Sequence, residues 1–360
     1  MGLLERFRKF IESIRQEDNL AIFYHAKCTD GLCSCIITSK SITKLTGLKP
    51  KFHIQNQHEI NEDTLIFIKS NKIKKVIFVD LCPEGDIVNF KKLESYSEIL
   101  IIDHHKFKNN LDSKNTILVH AEFLNNKIDS VRYPASKLCY DLFSNLVDIS
   151  ELDLLAAIGL IGDRGYNTWK DFVDSVADKY KFNIEGDILT SIFGKASSLI
   201  STTSKFEEAS ILIFDVVYNS KNINGIINNK ELQMYEIKVR KEISYWVDRA
   251  DDAEICENLV IFEIKPKLKI NSPLSTILSF EKFGGKTLVI IADYGNDILT
   301  ISAREQSMKI KMNELLQEAV NGLDGAKSGG HIPAAGGTIR KQDKNKFKKQ
   351  LIAAYNKLNK

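Results

Sequence analysis

No apolar stretch in this chain approaches the roughly 18 residues that a membrane-crossing helix needs, so a helical membrane anchor is excluded. An excess of either charge is also lacking: 50 Lys and Arg face 47 Asp and Glu, a net charge of +3. Bulk charge therefore advertises no long track for nucleic acid, and any polyanion site must be local. The six cysteines, Cys28, Cys33, Cys35, Cys82, Cys139 and Cys256, form no regular disulfide framework. With no cleavable leader visible, reduced thiols are expected. Cys33 and Cys35 are separated by one residue, not by the two of a zinc knuckle or redox pair, and no fixed-period repeat is visible. What remains is a globular composition, 27% charged and 43% hydrophobic. At 360 residues the chain exceeds one ordinary core, which points to two domains. The opening segment, residues 1–10, mixes Arg and Lys with Leu and Phe and reads as an amphipathic helix of a cytoplasmic protein.

Apolar runs at residues 20–24, 75–79, 98–102 and 116–119 alternate with helical stretches, the pattern of βαβ units around a mostly parallel sheet. Residues 136–160 read as helix, with more helix through 196, and residues 223–251 read as one long connecting helix. After it, segments at 253–265, 286–292 and 297–303 are rich in β-branched residues and punctuated by Gly284-Gly285 and Gly295-Asn296. The expected architecture is α/β: an N-terminal domain over residues 1–200 with a mostly parallel sheet flanked by helices, a helical linker over 201–252, and a smaller α/β domain over 253–360.

Four clusters share one context, each at or just beyond the end of an apolar segment. His25 and Asp30 follow the first run, Asp80 the second, Asp103-His104-His105 the third, and Asp163 the apolar stretch 154–161. Neighbouring strands lie about 4.8 Å apart, so their ends can deliver side chains to one point, where crowded carboxylates need cations. Taken singly, Asp30, Asp80 and Asp163 could be helix N-caps; taken together, they read as a metal site. Imidazole and carboxylate ligands without thiolate suit Mn²⁺ best, then Mg²⁺. Two such ions about 3.5–4 Å apart would clamp both oxygens of a phosphoryl displacement.

In this order the clusters resemble the DHH phosphoesterase superfamily, which includes RecJ-like nucleases, phosphodiesterases of short RNAs and cyclic dinucleotides, and family II pyrophosphatases. His25-Ala-Lys-Cys-Thr-Asp-Gly31 looks like the first motif, Val79-Asp80 the second, Asp103-His104-His105 the third and Gly159-Leu-Ile-Gly-Asp163 the fourth. Gly329-Gly-His-Ile-Pro-Ala-Ala-Gly-Gly337, preceded by Ser302-Ala-Arg304, resembles the signature of the DHHA1 substrate-binding domain. Glycines in such a segment let backbone N–H groups approach an anion, and His331 can add a donor.

The resemblance implies one metal on Asp30, Asp80, His104 and Asp163, with Asp80 bridging to a second held by His25. It implies that His105 contacts the substrate phosphate, that Asp103 orients an imidazole, and that Arg304, Gly329, Gly330, His331, Ala334, Ala335 and Gly336 bind substrate. One departure is plain. Many members read His-x-Asp-x-Asp-Gly, whereas only Ala26, Lys27, Cys28 and Thr29 stand between His25 and Asp30. Water could replace the missing carboxylate at a weakened second site, Cys28 could substitute for it, or Lys27 could supply a fixed charge. The weakened site is the favoured expectation.

The function expected is hydrolysis of short single-stranded oligonucleotides, or of single-stranded DNA or RNA ends, by a metal-activated water. The alternatives are a non-catalytic nucleic-acid-binding scaffold with replication or repair partners, and a cyclic-dinucleotide or nucleoside-bisphosphate phosphohydrolase. Proteins of this kind occur as monomers or homodimers, and no membrane partner is expected.

Overall fold

A computed structural model describes residues 2–55 and 57–359, which divide into two compact units, residues 1–233 and 234–360. The first contains α1 (Leu3–Glu12), β1 (Ala21–Tyr24), α2 (Thr29–Thr46), β2 (Lys51–Ile54), α3 (Glu62–Ser70), β3 (Lys75–Val79), α4 (Ile87–Glu94), β4 (Glu98–Asp103) and β5 (Thr116–His120). Helices α5 (Ala121–Leu124), α6 (Ala135–Ser144), α7 (Asp153–Gly162), α8 (Lys170–Tyr180), α9 (Ile192–Thr203), α10 (Ser210–Asn219) and α11 (Ile223–Ile227) follow. The five strands pair in the order β2-β1-β3-β4-β5, and every pairing is parallel.

The aliphatic runs become strands because both faces of the sheet are covered. Phe23, Val76, Phe78, Ile99 and Ile101 pack with Leu65 and Ile68 of α3 and Phe90 and Leu93 of α4. The alternate residues Ile22, Ile77 and Leu100 are equally buried on the face toward which α2 and α6 pack. Full burial of one such side chain stabilises the fold by about 1.5–3 kcal/mol, so the central strands anchor the unit. β2, with sequence Lys-Phe-His-Ile, is a half-exposed edge strand that the sequence pattern does not announce.

The second unit contains most of α12 (Lys230–Val247), then β6 (Glu254–Cys256), β7 (Leu259–Ile264), α13 (Asn271–Glu281), β8 (Thr287–Asp293), β9 (Ile298–Arg304), α14 (Met312–Ala319), β10 (Lys327–His331), β11 (Ala334–Arg340) and α15 (Lys344–Leu358). Its sheet runs β10-β11-β9-β8-β7-β6 and is mixed, with β7 and β8 parallel.

One expectation needs correction. The helix read through 223–251 is interrupted, because Asn228 closes α11 and the Asn229 side chain accepts the Leu232 N–H at 3.0 Å, capping a new helix. The glycine-rich segment forms an antiparallel hairpin, Lys327–His331 pairing with Ala334–Arg340. No helix among the described residues is long and apolar enough to cross a membrane.

Candidate metal centre

In the order β2-β1-β3-β4-β5 the chain leaves β1 in opposite directions, toward β2 and toward β3. Ligands in open α/β sheets bind at the strand carboxyl ends beside such a reversal. His25 follows β1 directly, Asp80 follows β3, and Asp103 ends β4 with His104 and His105 after it. Asp163 sits at the C-terminus of α7.

The β1–α2 turn closes tightly. Cys28 is the N-cap of α2, its Sγ accepting the Gly31 N–H at 3.2 Å, and a Cβ on Gly31 would lie 2.1 Å from His25 O and 2.9 Å from Asp80 Oδ2. Only glycine fits there. Asp80 holds φ at 56°, a left-handed conformation uncommon outside glycine and typical of constrained sites. Gly159 and Gly162 let α7 come close: a Cβ at the first would meet Ser136 Oγ at 2.4 Å, and at the second Ser197 Oγ at 2.7 Å and Thr29 Cβ at 2.8 Å. The fourth motif's glycines are therefore packing residues that bring Asp163 to the centre.

The two oxygens of Asp80 face different donors. Oδ1 lies 3.4 Å from His104 Nε2 and 3.8 Å from His105 Nδ1. Oδ2 accepts from the Cys28 thiol at 3.0 Å and lies 3.8 Å from His25 Nδ1. His104 Nε2 is also 3.6 Å from Asp163 Oδ2 and 3.8 Å from Asp30 Oδ2. Asp30 does not cap its own helix: its carboxylate accepts the N–H groups of Ala135 at 2.7 Å and Ser136 at 3.0 Å, at the start of α6. Asp103 Oδ1 accepts from the His104 and His105 amides at 2.8 and 3.3 Å, and lies 2.9 Å from His105 Nδ1.

In the second unit, Arg304, Gly329, Ala334, Ala335 and Gly336 line one open groove of about 650 Å³, together with Asn271 and Ser272. The Arg304 guanidinium donates to Ser272 Oγ at 3.1 Å, and Asn271 Nδ2 to Ser302 Oγ at 2.9 Å. The sequence reading missed Asn271 and Ser272, which open an unremarkable helix. Gly330 and His331, expected in the same group, do not line the groove; His331 is exposed at the end of β10.

Residues 274–357 match the DHHA1 domain family. No curated protein matches the sequence. Among solved structures, a DHH-domain protein described as a member of the s1p family of ribosomal proteins aligns over 98% of this chain and 92% of its own, with a TM-score of 0.67 at 17% identity. RecJ from Thermus thermophilus, in complex with Mn²⁺, aligns over 99% of this chain but 55% of its own, with a TM-score of 0.67 at 15% identity. An exonuclease RecJ bound to manganese aligns over 98% and 94%, with a TM-score of 0.64 at 16% identity. Residues 274–357 thus carry a DHHA1 domain, and the chain as a whole has the fold of these DHH-domain and RecJ structures.

The cluster of His25, Asp30, Asp80, His104 and Asp163 fits a divalent ion. Asp103 and His104 are buried, and among the described residues Asp103 Oδ2 and both His104 ring nitrogens have no hydrogen-bond partner. Buried polar atoms left so are costly. An ion among Asp30, His104 and Asp163, whose donor atoms lie within 4.8 Å of one another, would give His104 Nε2 a partner and offset the carboxylate repulsion.

Electrostatics carry the same signature. Burial, reinforced by the Asp80 charge, raises the Asp30 carboxyl to about 7, and burial likewise raises Asp163. Burial alone would raise Asp80 too, but His104 and His25 hold it well below the usual carboxylate range. Burial disfavours the charged form of His104, yet Asp80 and then Asp30 outweigh it and lift the imidazole to about 10. His105 is lifted to about 9, burial again being outweighed, here by Asp103.

One consequence is a pH-dependent weakness of the metal-free first unit. Below its ordinary value of 3.8, Asp30 is protonated in both folded and unfolded chains and costs nothing. As pH rises from there to about 7 the unfolded chain has released the proton and the folded chain has not, so stability falls until the folded group ionises. His104 and His105, both raised, add losses in the same direction. In the presence of a chelator, thermal melts between about pH 5 and pH 8 should show a falling Tm. Asp30→Asn should recover about 2–4 kcal/mol at the alkaline end. An Asn variant that falls as steeply as the parent contradicts the assignment.

Proposed function

We propose that the chain is a divalent-metal-dependent phosphodiesterase that hydrolyses short single-stranded oligonucleotides or the ends of single-stranded DNA or RNA. One observation carries this reading: the Asp80 carboxylate presents Oδ1 to His104 and Oδ2 to His25, as a residue shared by two ions would. Asp30, Asp80, His104 and Asp163 would hold one ion, and Asp80 with His25 a second. Imidazole with carboxylate suits Mn²⁺ first and Mg²⁺ second. Bound there, the ions supply positive charge beside phosphoryl oxygens and acidify a water.

The chain's own groups do the remaining work. Asp103 engages Nδ1 of His105, which fixes the ring and leaves Nε2 to donate to a phosphoryl oxygen. In the metal-free chain, against the effect of burial, Asp103 with Asp80 raises the His105 imidazole above its ordinary value, which favours its donor form. In the DHHA1 domain, Arg304 supplies a guanidinium, and Gly329 and Gly336 bring backbone close to a bound phosphate or terminal nucleotide. Ala334 and Ala335, which line the same groove, are proposed to support that contact, whereas Gly330 and His331 lie outside it. The manganese-bound exonuclease RecJ shares this fold, which supports both the ion and the substrate class.

Incubation of the full chain with Mn²⁺ and end-labelled short oligonucleotides should give shortened products, with none from His104→Ala or Asp163→Ala. Equal product from parent and variants, or none from any, refutes the enzyme; oligonucleotide binding without cleavage would mark a binding protein instead.

A further inference from the structure

The first motif has a cysteine where the second ion would be held. Donor atoms of His25, Cys28 and Asp80 lie within 4.8 Å of one another, and Cys28 Sγ is the atom nearest Asp80 Oδ2 among these donors, at 3.0 Å against 3.8 Å for His25 Nδ1. The sulfur's position is set from both sides. It takes the Gly31 N–H at the amino end of an 18-residue helix, and its thiol donates to a carboxylate whose opposite oxygen faces His104; burial and the Asp80 charge keep that thiol protonated in the metal-free chain. Lys27, by contrast, is exposed. Cys33, Cys35, Cys82 and Cys139 are buried elsewhere, and Cys256 belongs to the other unit.

We propose that Cys28, as thiolate, is a ligand of the second ion together with His25 Nδ1 and Asp80 Oδ2, and that this ion is a thiophilic one such as Zn²⁺, Co²⁺ or Fe²⁺. Thiolate and imidazole select such ions over Mg²⁺ and Mn²⁺. On ligation the S–H proton passes to solvent, one metal–sulfur bond forms, and no group changes oxidation state. The two sites would then differ in taste, the Asp30–His104–Asp163 site favouring a hard ion and the Cys28 site a softer one. The inference rests on the reading of Asp80 as a shared carboxylate.

Co²⁺ titration of the metal-stripped full chain tests it. Two ions should bind, with a thiolate-to-cobalt charge-transfer band in the near ultraviolet. Cys28→Ser should lose that band and the second ion, whereas His104→Ala should lose the other ion and keep the band. Should the serine variant fail to fold, Cys28→Asp provides the second route: it should bind two ions with no charge-transfer band and shift preference from Zn²⁺ toward Mn²⁺. Bound cobalt without a thiolate band in the parent, or a band that persists in both Cys28 variants, overturns the thiolate assignment and leaves the phosphodiesterase reading standing. Failure of the parent to bind any divalent ion removes both.

Discussion

Asp80→Asn should lower the hydrolytic rate by about three orders of magnitude, equivalent to about 4 kcal/mol of transition-state stabilisation, and leave the chain folded. Asn is the informative choice because residue 80 sits at φ 56°, a conformation that Asn tolerates and most side chains do not. The backbone strain is therefore unchanged while the charge is removed. His104 and His25 hold the Asp80 carboxyl ionised well below the usual range despite its burial, so the parent presents an anion at every working pH. Both donor sets lose their shared member at once, and the expected result is a loss of bound metal together with a loss of rate. Circular dichroism and metal analysis, run beside the oligonucleotide assay, decide the matter. A variant that keeps its ions and more than about a tenth of the rate would show that Asp80 is not shared.

The second large effect is expected from a methyl group. Gly31→Ala places a carbon 2.1 Å from His25 O and 2.9 Å from Asp80 Oδ2, and the first of these is backbone that cannot rotate away. The β1–α2 turn must open, which should destabilise the chain by about 2–4 kcal/mol. Denaturant melts of the metal-free protein measure that loss. The same displacement moves His25 and Asp80 apart, so metal affinity should fall beyond what the lost stability accounts for. A Gly31→Ala chain with parental melting and metal binding would mean that the turn adapts freely.

The central strands were legible because β3 and β4 are buried on both faces and must be continuously aliphatic. β2 was not, since a half-exposed edge strand of Lys, Phe, His and Ile carries no such run. The β10–β11 hairpin was hidden for a different reason. Its Gly and Ala residues have little strand propensity, and its pairing relies on close backbone approach, as at Gly337, where a Cβ would lie 2.7 Å from Lys327 O.

At the candidate site, His25, Asp30, Asp80, His104 and Asp163 were readable from their position after apolar segments. The partners of those side chains were not. Taken singly, Asp30 could have capped its own helix, whereas it receives two amides of α6, more than a hundred residues later, and Cys28 takes the capping position at α2. Such long-range pairing leaves no local pattern. Cys28 was visible as one option among three, and only its 3.0 Å approach to Asp80 separates it from exposed Lys27.

All the DHH-site residues lie between positions 25 and 163, and the segment that closes around Asp30 begins at Ala135. The unit that positions them runs to residue 233, so a ribosome adding about 5–20 residues per second would complete it on the order of ten seconds before it reaches residue 360. A metal could be captured cotranslationally, before the DHHA1 domain exists. The ligand set would then select its ion from the pool around the nascent polypeptide, a choice made before the finished molecule meets its first substrate.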